Sequence, residues 1–442
     1  MIDEISIFWF RRDLRIEDNT GLWKALSSGY KVLPLFIYDR NILNKLEPDD
    51  LRMSIHKKIL FDLNKKLNEA GSGLYTIFDT PQNAFVKLQS KFKIRSVYFN
   101  RDYEPYALQR DREITELLGA SGIPCFSFKD QVIFEMSEVV KNDGTPYTVY
   151  TPYSSKWLMN FSQNMIRKAP SASLVGNCMP FTDNHFFSPV SIGFNCTDTS
   201  VKPYVLDKTR IIKYDQTRDT PSIEGTSFLG PHLRFGTISI REVLLKTECL
   251  NTVFTKELIW REFFMQILYH FPFVEEKSFR PRYDRMEWLN SEENFQKWTD
   301  GKTGFPFVDA GMRELRQTGY MHNRVRMVAA NFLTRQLLTD WRWGEAWFAK
   351  NLFDFDLASN NGNWQWAAGT GCDATPFFRI FNPETQLIKF DPQYIYIKRW
   401  IPEFGTIDYP DPIIDHARAR ERALKHYRSL LIITKNNFRS FR

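Results

Sequence analysis

Glu257 and Trp260 form the first pair of residues in the sequence whose types and spacing could do chemistry. They lie three positions apart in "KELIWREF", with Arg261 one position further on, so all three side chains share one helix face. Leu258 and Ile259 give the carboxyl group apolar neighbours, which would raise its pKa unless a cation compensates. The segment therefore offers a carboxyl group with a raised pKa on the same helix face as an indole. A helix-surface carboxylate paired with Arg261 is the simpler interpretation.

Three further segments carry groups that suit phosphate, ion pairing and flat rings. Their candidate residues are Asn323, Arg324, Arg326 and Met327 in "YMHNRVRMVAANFL", Asp354 and Asp356 in "NLFDFDLASNNGNWQW", and Thr226 and Ser227 in "EGTSFLGPHLRF". Asn323 and Met327 fall at i and i+4 of a predicted helix and therefore share a face. The two hydroxyls precede a predicted helix, and hydroxyls beside a helix N-terminus suit phosphate.

The stretch "SNNGNWQWAAGTGCD", residues 359–373, mixes three glycines with two tryptophans. Tryptophans in a structural role pack on regular elements, whereas glycine lets a backbone approach a ligand closely. A tight turn that caps a helix beside two core indoles is the simpler interpretation. A chain that passes around a ligand is the alternative.

Spacing argues against several other kinds of site. "GKT" at 301–303 lacks the upstream glycine of a phosphate-binding loop, because position 296 is glutamine. His232 and His322 belong to no H-E-x-x-H motif, so no metal is expected. The five cysteines form no C-x-x-C, which argues against a zinc ribbon or a disulfide framework and indicates a reducing compartment.

The composition predicts a globular protein of two or three domains. The chain has 442 residues, of which 43% are hydrophobic and 15% aromatic, and its formal charge is +7. This mild basic excess allows a basic face for a polyanion. The charged N-terminus is not that of a signal peptide, and no apolar run is long enough to cross a membrane. A cytoplasmic protein that does not bind membranes is expected.

The elements that must position these residues change in kind along the chain. Short β-rich runs ("ISIFWF", "KVLPLFIYD", "LYTIF", "SVYFN" and "CFSF") alternate with helical patterns in residues 1–130, which predicts a doubly wound parallel sheet in an α/β domain. Residues 131–205 read as a connector with one helix near 153–167. The pattern of residues 206–442 is helical, which predicts a larger all-α domain.

In this order and spacing, the segments resemble those of the photolyase/cryptochrome family, most closely the class I cyclobutane pyrimidine dimer photolyases. The resemblance covers nearly the whole chain, from "FWFRRDLRIEDN" to "FDPQYIYIKRWIPEF", and includes "ELIWREF", "GKTGFPFVDAGMREL", "MHNRVRM" and "FFRIFNPETQ". It implies an α/β antenna domain and a helical domain that buries FAD in a U shape. It also favours a backbone that passes around a flavin in the glycine–tryptophan stretch.

The resemblance implies a set of cofactor-binding residues: Tyr214, Thr226, Ser227, Arg326, Asp354, Asp356 and Asn360. The three hydroxyl residues are expected at the FAD diphosphate. Arg326 and Asp354 are expected to pair over the flavin ring, and Asp356 to lie near its sugar or ring edge. Asn360 is expected at flavin N5, where a neutral amide can hydrogen-bond without adding charge. Gly230 departs from the family, which usually has serine there.

The resemblance also implies that reduced FAD repairs pyrimidine dimers in damaged DNA with light, without a metal. The residues expected at the dimer are Glu257, Trp260, Asn323, Met327 and Trp366. Photolyases are among the enzymes that flip a base out of the duplex, and the dimer would stack on the two indoles. Glu257 would donate a hydrogen bond to a pyrimidine carbonyl as negative charge develops there.

Two further sets of residues follow from the same resemblance. Arg218, Arg324 and Arg379 match positions that contact DNA phosphates, so DNA affinity should depend on salt. Trp364, Trp341 and Trp288 match an electron relay that recharges the flavin. A monomer is expected.

Several sub-families fit this sequence less well. Enzymes for (6-4) photoproducts carry two adjacent histidines where this chain has Met321-His322-Asn323, and iron–sulfur relatives need four cysteines in the helical domain. Tyr106 and Ala107 replace the Asn-Glu pair of folate-binding relatives, which leaves a deazaflavin, a flavin or no second chromophore. A cryptochrome photoreceptor, or a nucleic-acid-binding flavoprotein without catalysis, is the alternative to a repair enzyme.

Overall fold

The chain folds into two compact units, as seen in a computed structural model that describes residues 4–180 and 185–439. The first unit comprises the residues up to Gly144, Ser155–Leu206 and Phe228–Thr255. The second comprises Thr145–Ser154, Asp207–Ser227 and the residues from Lys256 onward. Each unit is thus assembled from separate stretches of chain, whereas linear domain limits at 130 and 205 stay a prediction.

A five-stranded parallel sheet forms the centre of the first unit. Its strands are β1 (Glu4–Phe10), β2 (Lys31–Asp39), β3 (Tyr75–Asp79), β4 (Lys93–Asn100) and β5 (Cys125–Phe128). Their order in the sheet is β3-β2-β1-β4-β5, and every neighbouring pair is parallel. The predicted α/β fold with a doubly wound parallel sheet, followed by a helical domain, is confirmed.

Alternation along β1 shows why the sheet has a core on each face. Successive side chains of a strand point to opposite faces. Ile5, Ile7 and Trp9 therefore enter one buried cluster, and Phe8 and Phe10 enter the other. Helices cover both faces, as a parallel sheet requires.

The nineteen α-helices of the described residues follow in chain order. They are α1 (Thr20–Leu26), α2 (Arg40–Leu43), α3 (Leu51–Glu69), α4 (Pro81–Lys91), α5 (Pro105–Ala120), α6 (Tyr150–Asn160), α7 (Lys208–Ile212), α8 (Tyr214–Thr217), α9 (Leu229–Phe235), α10 (Ile240–Thr247), α11 (Thr252–His270), α12 (Glu292–Thr299), α13 (Pro306–Thr318), α14 (Asn323–Asn331), α15 (Trp341–Asn351), α16 (Leu357–Ala368), α17 (Pro383–Phe390), α18 (Ile395–Trp400) and α19 (His416–Arg439). A π-helical turn, Phe332–Gln336, follows α14.

Helix α6 differs from the helix predicted near 153–167, because it begins and ends earlier. Pro152 falls in its first turn, where the missing N–H would have no partner within the helix in any case. Short 3-10 helices follow α6 within residues 131–205, at Gln163–Met165, Ser171–Asn177 and Pro189–Ile192.

Buried ion pairs hold the "RRDLRIED" segment in the first unit. Nη2 of Arg15 donates to the Asp130 carboxylate at 2.6 Å, and Nη2 of Arg241 donates to the same carboxylate at 2.8 Å. Nε of Arg241 donates to Asp18 at 3.1 Å. Burial tends to raise the pKa of Asp130, but the two guanidinium groups outweigh it and hold that pKa below its ordinary value. These two charged residues of the motif, Arg15 and Asp18, therefore stabilise the fold.

The glycine–tryptophan stretch is mostly helix. Helix α16 runs through both tryptophans and ends at Gly369, whose φ of 76° is the left-handed value that glycine adopts without strain. Gly362 lies mid-helix, where an added Cβ would be 2.1 Å from Cδ1 of Phe264 in α11. The simpler interpretation, a capped helix with indoles packed beside it, therefore describes this backbone, and Gly362 serves close helix packing.

We expect Gly362→Ala to lower the free energy of unfolding by about 1–3 kcal/mol, because the new methyl group overlaps Phe264. The overlap should outweigh the ~1 kcal/mol that alanine gains over glycine in helix propensity. Asn363→Ala, at the next and exposed position, is the control and should change stability by no more than about 0.5 kcal/mol. Urea unfolding followed by far-UV circular dichroism measures both. Equal stability of the two variants would mean that Phe264 moves aside without cost.

Candidate functional site

Arg326 and Asp354 form the bidentate ion pair that the sequence predicts. Nη1 and Nη2 of Arg326 donate to the two carboxylate oxygens of Asp354 at 3.0 and 2.9 Å, and Nε donates to the Met321 carbonyl at 2.7 Å. Burial disfavours the cation, but the carboxylate outweighs it and raises the pKa of Arg326. The pair ties α14 to the turn before α16.

His322 fixes where α14 begins. It is the N-cap residue, and its Nδ1 accepts a hydrogen bond from the backbone N–H of Arg324 at 3.2 Å. Burial, helped by the nearby Arg326, lowers the pKa of His322 to about 4, so the ring is neutral and Nδ1 can accept. This cap fixes the position of Asn323, which is exposed at the start of α14, and of Met327, which is half-buried one turn later. The Met327 sulfur is 3.9 Å from the Asn323 amide nitrogen.

Glu257 has Arg218 as its ion-pair partner. The two side chains retain 37% and 33% of their exposure, and Nη1 of Arg218 donates to Oε1 of Glu257. Burial raises the pKa of Glu257, and Arg218 opposes that rise. The sequence predicts a separate role for each residue, Glu257 at the dimer and Arg218 at a DNA phosphate, and the structure brings the two side chains together.

Arg324 is paired in the same way with a residue that the sequence did not single out. Its Nη2 donates to Oδ1 of Asp219 at 2.7 Å, and its guanidinium lies 4.4 Å from the centre of the Phe390 ring. Asp219 directly follows Arg218, so neighbouring residues engage Glu257 and Arg324. Arg379, the third predicted phosphate contact, is exposed, and the Asn331 amide donates to its carbonyl at 3.5 Å.

Tyr150 stacks on Trp260. Their ring centres are 3.6 Å apart and nearly parallel, with an angle of 6° between the planes. The Tyr150 hydroxyl donates to the Lys256 carbonyl at 2.8 Å, and its backbone N–H donates to Asp373 at 3.0 Å. Tyr150 thus backs one face of the indole and holds Trp260 in place. Trp366, the other predicted stacking residue, is half-buried on α16.

Glu345 orients Asn360. The amide nitrogen of Asn360 donates to the Glu345 carboxylate at 2.8 Å and to its carbonyl at 3.1 Å. Burial raises the pKa of Glu345, against the effect of the hydrogen bond from Asn360. With its nitrogen engaged, the amide oxygen is the group that Asn360 can offer to a ligand.

Tyr320 connects the residues predicted at the diphosphate with the ion pair. Its hydroxyl is hydrogen-bonded to Thr226 and lies in the field of Arg326 and Asp354, and burial raises its pKa to about 12. Ser227 is buried next to Thr226. Tyr214 lies near Tyr320 and Glu257, and burial raises its pKa. Asp356 caps α16 by accepting a hydrogen bond from the Ser359 N–H at 3.0 Å.

The three tryptophans of the predicted relay lie on different elements. Trp364 (α16) and Trp341 (α15) are buried, and Trp288 is half-buried between two apolar clusters. Trp364 makes an edge contact with Trp298, with ring centres 6.2 Å apart. Nε1 of Trp341 has no hydrogen-bond acceptor in the part of the chain that the structure describes. The central carbon of the Arg342 guanidinium lies 4.8 Å from the centre of the Trp341 ring.

Comparisons with known proteins identify the family of the chain. Residues 6–172 match the family model described as DNA photolyase, and residues 254–408 match that of the FAD binding domain of DNA photolyase. A deoxyribodipyrimidine photo-lyase of Synechococcus sp. is 35% identical, over 93% of each chain. The chain belongs to the DNA photolyase family.

Two solved photolyase structures share the fold over nearly their full length. A bacterial class III photolyase from Agrobacterium tumefaciens is 34% identical, with a TM-score of 0.87 over 97% of this chain and 98% of its own. An archaeal photolyase from Sulfolobus tokodaii, solved with two FAD molecules, is 31% identical, with a TM-score of 0.82 over 96% and 100%. The prediction of a DNA photolyase with FAD as its cofactor is confirmed.

The donor groups of this photolyase fit FAD. Tyr214, Thr226 and Ser227 offer hydroxyls to a diphosphate, and a Cβ at Gly225 would be 2.7 Å from the Thr217 carbonyl, so this turn is closely packed. The Arg326–Asp354 pair and the Asn360 amide offer the polar contacts of a buried ring. Gly230, where the family usually has serine, lies exposed in α9.

Four residues of the site escaped the sequence analysis: Tyr150, Asp219, Tyr320 and Glu345. Asp219 had a signal, because it adjoins a predicted site arginine. Tyr150 lies in a stretch read as a connector, and Glu345 pairs with Asn360 across fifteen positions, which no local pattern reveals. At the position where folate-binding relatives have the asparagine of their Asn-Glu pair, the Tyr106 hydroxyl donates to Asp39 at 2.5 Å. No helix in the described part of the photolyase is long and apolar enough to span a membrane.

We expect Asp354→Asn to destabilise the protein by about 3 kcal/mol, because it leaves a largely buried guanidinium without its counter-ion. FAD affinity should fall with it. Asp300→Asn is the control: its partner Arg316 keeps 65% of its exposure, so the loss should be below about 1 kcal/mol. Urea unfolding and retention of FAD on gel filtration are the measurements. Similar losses in both variants would show that the Arg326 pair carries no special weight.

Proposed function

We propose that this photolyase uses light to repair cyclobutane pyrimidine dimers in DNA. The observation that carries the proposal is the pairing, on α11, of a partly buried carboxyl group with an indole: Glu257 and Trp260 lie one helical turn apart, and burial raises the pKa of Glu257. A dimer needs a flat surface for its rings and a hydrogen-bond donor for the carbonyl that gains negative charge. The assignment to class I rests on the sequence motifs alone.

Each residue has a distinct role in this proposal. Trp260 and Trp366 stack on the dimer, with Tyr150 backing Trp260, and Asn323 and Met327 contact its remaining edge. Glu257 donates a hydrogen bond to a pyrimidine carbonyl. Reduced FAD, when bound, supplies the light-driven electron that splits the cyclobutane ring and then takes it back.

The cofactor side is held by charge pairing and by neutral groups. Arg326 and Asp354 present a balanced pair to the ring, and Asp356 orients α16. Asn360, held by Glu345, contributes a hydrogen bond without net charge at flavin N5. A carboxylate at that position would repel the anionic reduced ring.

The substrate in this proposal is damaged DNA, bound through phosphate contacts by Arg218, Arg324 and Arg379. Each such contact contributes to the salt dependence of binding, with a slope of about −0.9 per phosphate neutralised. The predicted monomeric state and cytoplasmic location stay predictions.

A direct test illuminates the flavin-loaded, reduced protein with a dimer-containing oligonucleotide and follows restored thymines by chromatography. We expect light-dependent repair in the parent and a lower repair yield per absorbed photon in Glu257→Gln at saturating DNA, because an amide stabilises the developing charge less well. Absence of light-dependent repair in the parent would overturn the proposal and favour a photoreceptor. An unchanged yield in the variant would remove Glu257 from the mechanism.

The relay assignment predicts that Trp288→Phe binds FAD normally but fails to photoreduce it with an external thiol. Indole is easily oxidised and phenylalanine is not, whereas the ring volume is largely kept. Trp400→Phe is the matched control, because Trp400 packs against the same core cluster and should photoreduce like the parent. Flavin absorbance under blue light is the measurement. Undiminished photoreduction in Trp288→Phe would assign this indole to the core.

A further inference from the structure

Arg218 and Asp219 are adjacent in sequence and engage opposite charges on two different helices. Arg218 pairs with Glu257 on α11, and Asp219 pairs with Arg324 on α14. Two of the three arginines proposed to bind DNA phosphates are therefore already neutralised by carboxylates. Arg218 donates to Glu257 through Nη1, which leaves other N–H groups of the guanidinium for a phosphate that competes with the carboxylate for the same cation.

The displaced Glu257 would be left in surroundings that disfavour its charge. The charged and titratable groups that face it are Arg218, Asp219, Tyr150 and Tyr214. Arg218 is the cation of that set, and Asp219 adds a like charge. Burial already raises the pKa of Glu257 in the presence of Arg218. Withdrawal of the guanidinium removes the attraction that opposes this effect.

We propose that DNA binding moves Arg218 from the Glu257 carboxylate to a DNA phosphate, and that Glu257 then takes up one proton from solvent. The carboxylate and a hydronium ion become a carboxylic acid and water, and no other reactant is needed. The ion pair between Arg218 and Glu257 is thus replaced by an ion pair between Arg218 and the phosphate, and Glu257 becomes a neutral acid. Glu257 thereby becomes a hydrogen-bond donor only when substrate is bound, which explains how an ion-paired carboxylate can serve as the donor.

This inference rests on the proposed function for its substrate, but its consequence is a binding equilibrium and requires no light. Glu257 has the higher pKa in the DNA complex, so protonation favours binding. The contribution of this protonation to DNA affinity is fully present below the pKa of Glu257 in the free protein. It is lost as pH rises through the pKa of Glu257 in the complex. Between those two values the dissociation constant for dimer DNA should rise up to about tenfold per pH unit.

The first measurement is proton uptake on binding. A dimer-containing duplex is titrated into flavin-loaded protein in the dark, in two buffers of equal pH and different ionisation enthalpy. We expect uptake approaching about one proton per complex in the parent at pH values between the two pKa values, and none from this site in Glu257→Gln. Asp219→Asn is the matched control and should retain the uptake. Uptake lost in Asp219→Asn but kept in Glu257→Gln would overturn the assignment.

The second measurement reports the carboxyl group itself. Infrared difference spectra of the same complex should show the C=O band of a protonated carboxylic acid in the parent and in Asp219→Asn, and not in Glu257→Gln. In Arg218→Gln the band should be present before DNA is added, and uptake should fall accordingly. If the parent binds and repairs the dimer DNA with neither uptake nor band, the inference is wrong. Absence of light-driven repair would instead count against the proposed function.

Discussion

The ion pair between Arg326 and Asp354 sets the geometry on which the rest of the site depends. Burying a charge without a partner costs several kcal/mol, so the two residues must meet, and their bidentate contact fixes distance and orientation together. Arg326 lies on α14 and Asp354 precedes α16 by three residues. Helix α14, with Asn323 and Met327, is thereby set against helix α16, which carries Asn360, Trp364 and Trp366.

The same requirement explains why most charges of the site are already paired. Glu257 meets Arg218, Arg324 meets Asp219, and Glu345 meets the amide of Asn360. The Glu257–Arg218 pair is held less tightly than the Arg326–Asp354 pair, since its two side chains keep roughly a third of their exposure, against 22% for Arg326 and 14% for Asp354. An ion pair that is exposed to this extent can exchange partners at small cost. In the proposed function, fixed pairing at the cofactor and exchangeable pairing toward the substrate therefore coexist within one unit.

The sequence predicted the fold and the family of the protein better than it predicted the contacts between the site residues. Short β-rich runs located all five strands, because a sheet buried on both faces leaves continuous apolar runs. The Arg326–Asp354 pair was predicted through resemblance. The partner of Glu257 was not, since Arg261 is its helical neighbour while Arg218 lies 39 positions away. The glycines of residues 359–373 suggested a bent backbone, but one of them makes room for Phe264 within a helix. Tertiary contacts of this kind leave no local periodicity.

Helix α16 shows how one rigid element can serve three tasks at once. Asn360 and Trp364 are four residues apart and share a face, while Trp366, two residues further on, projects roughly 200° around the helix. The amide proposed for the cofactor and the indole proposed for electron transfer can thus point one way, and the indole proposed for stacking another. Hydrogen bonds within the helix fix these directions, which a flexible loop could not do without a cost in entropy on each binding event. The tight packing at Gly362 and the cap at Asp356 keep the helix in register, so the directions of all three side chains depend on the same backbone.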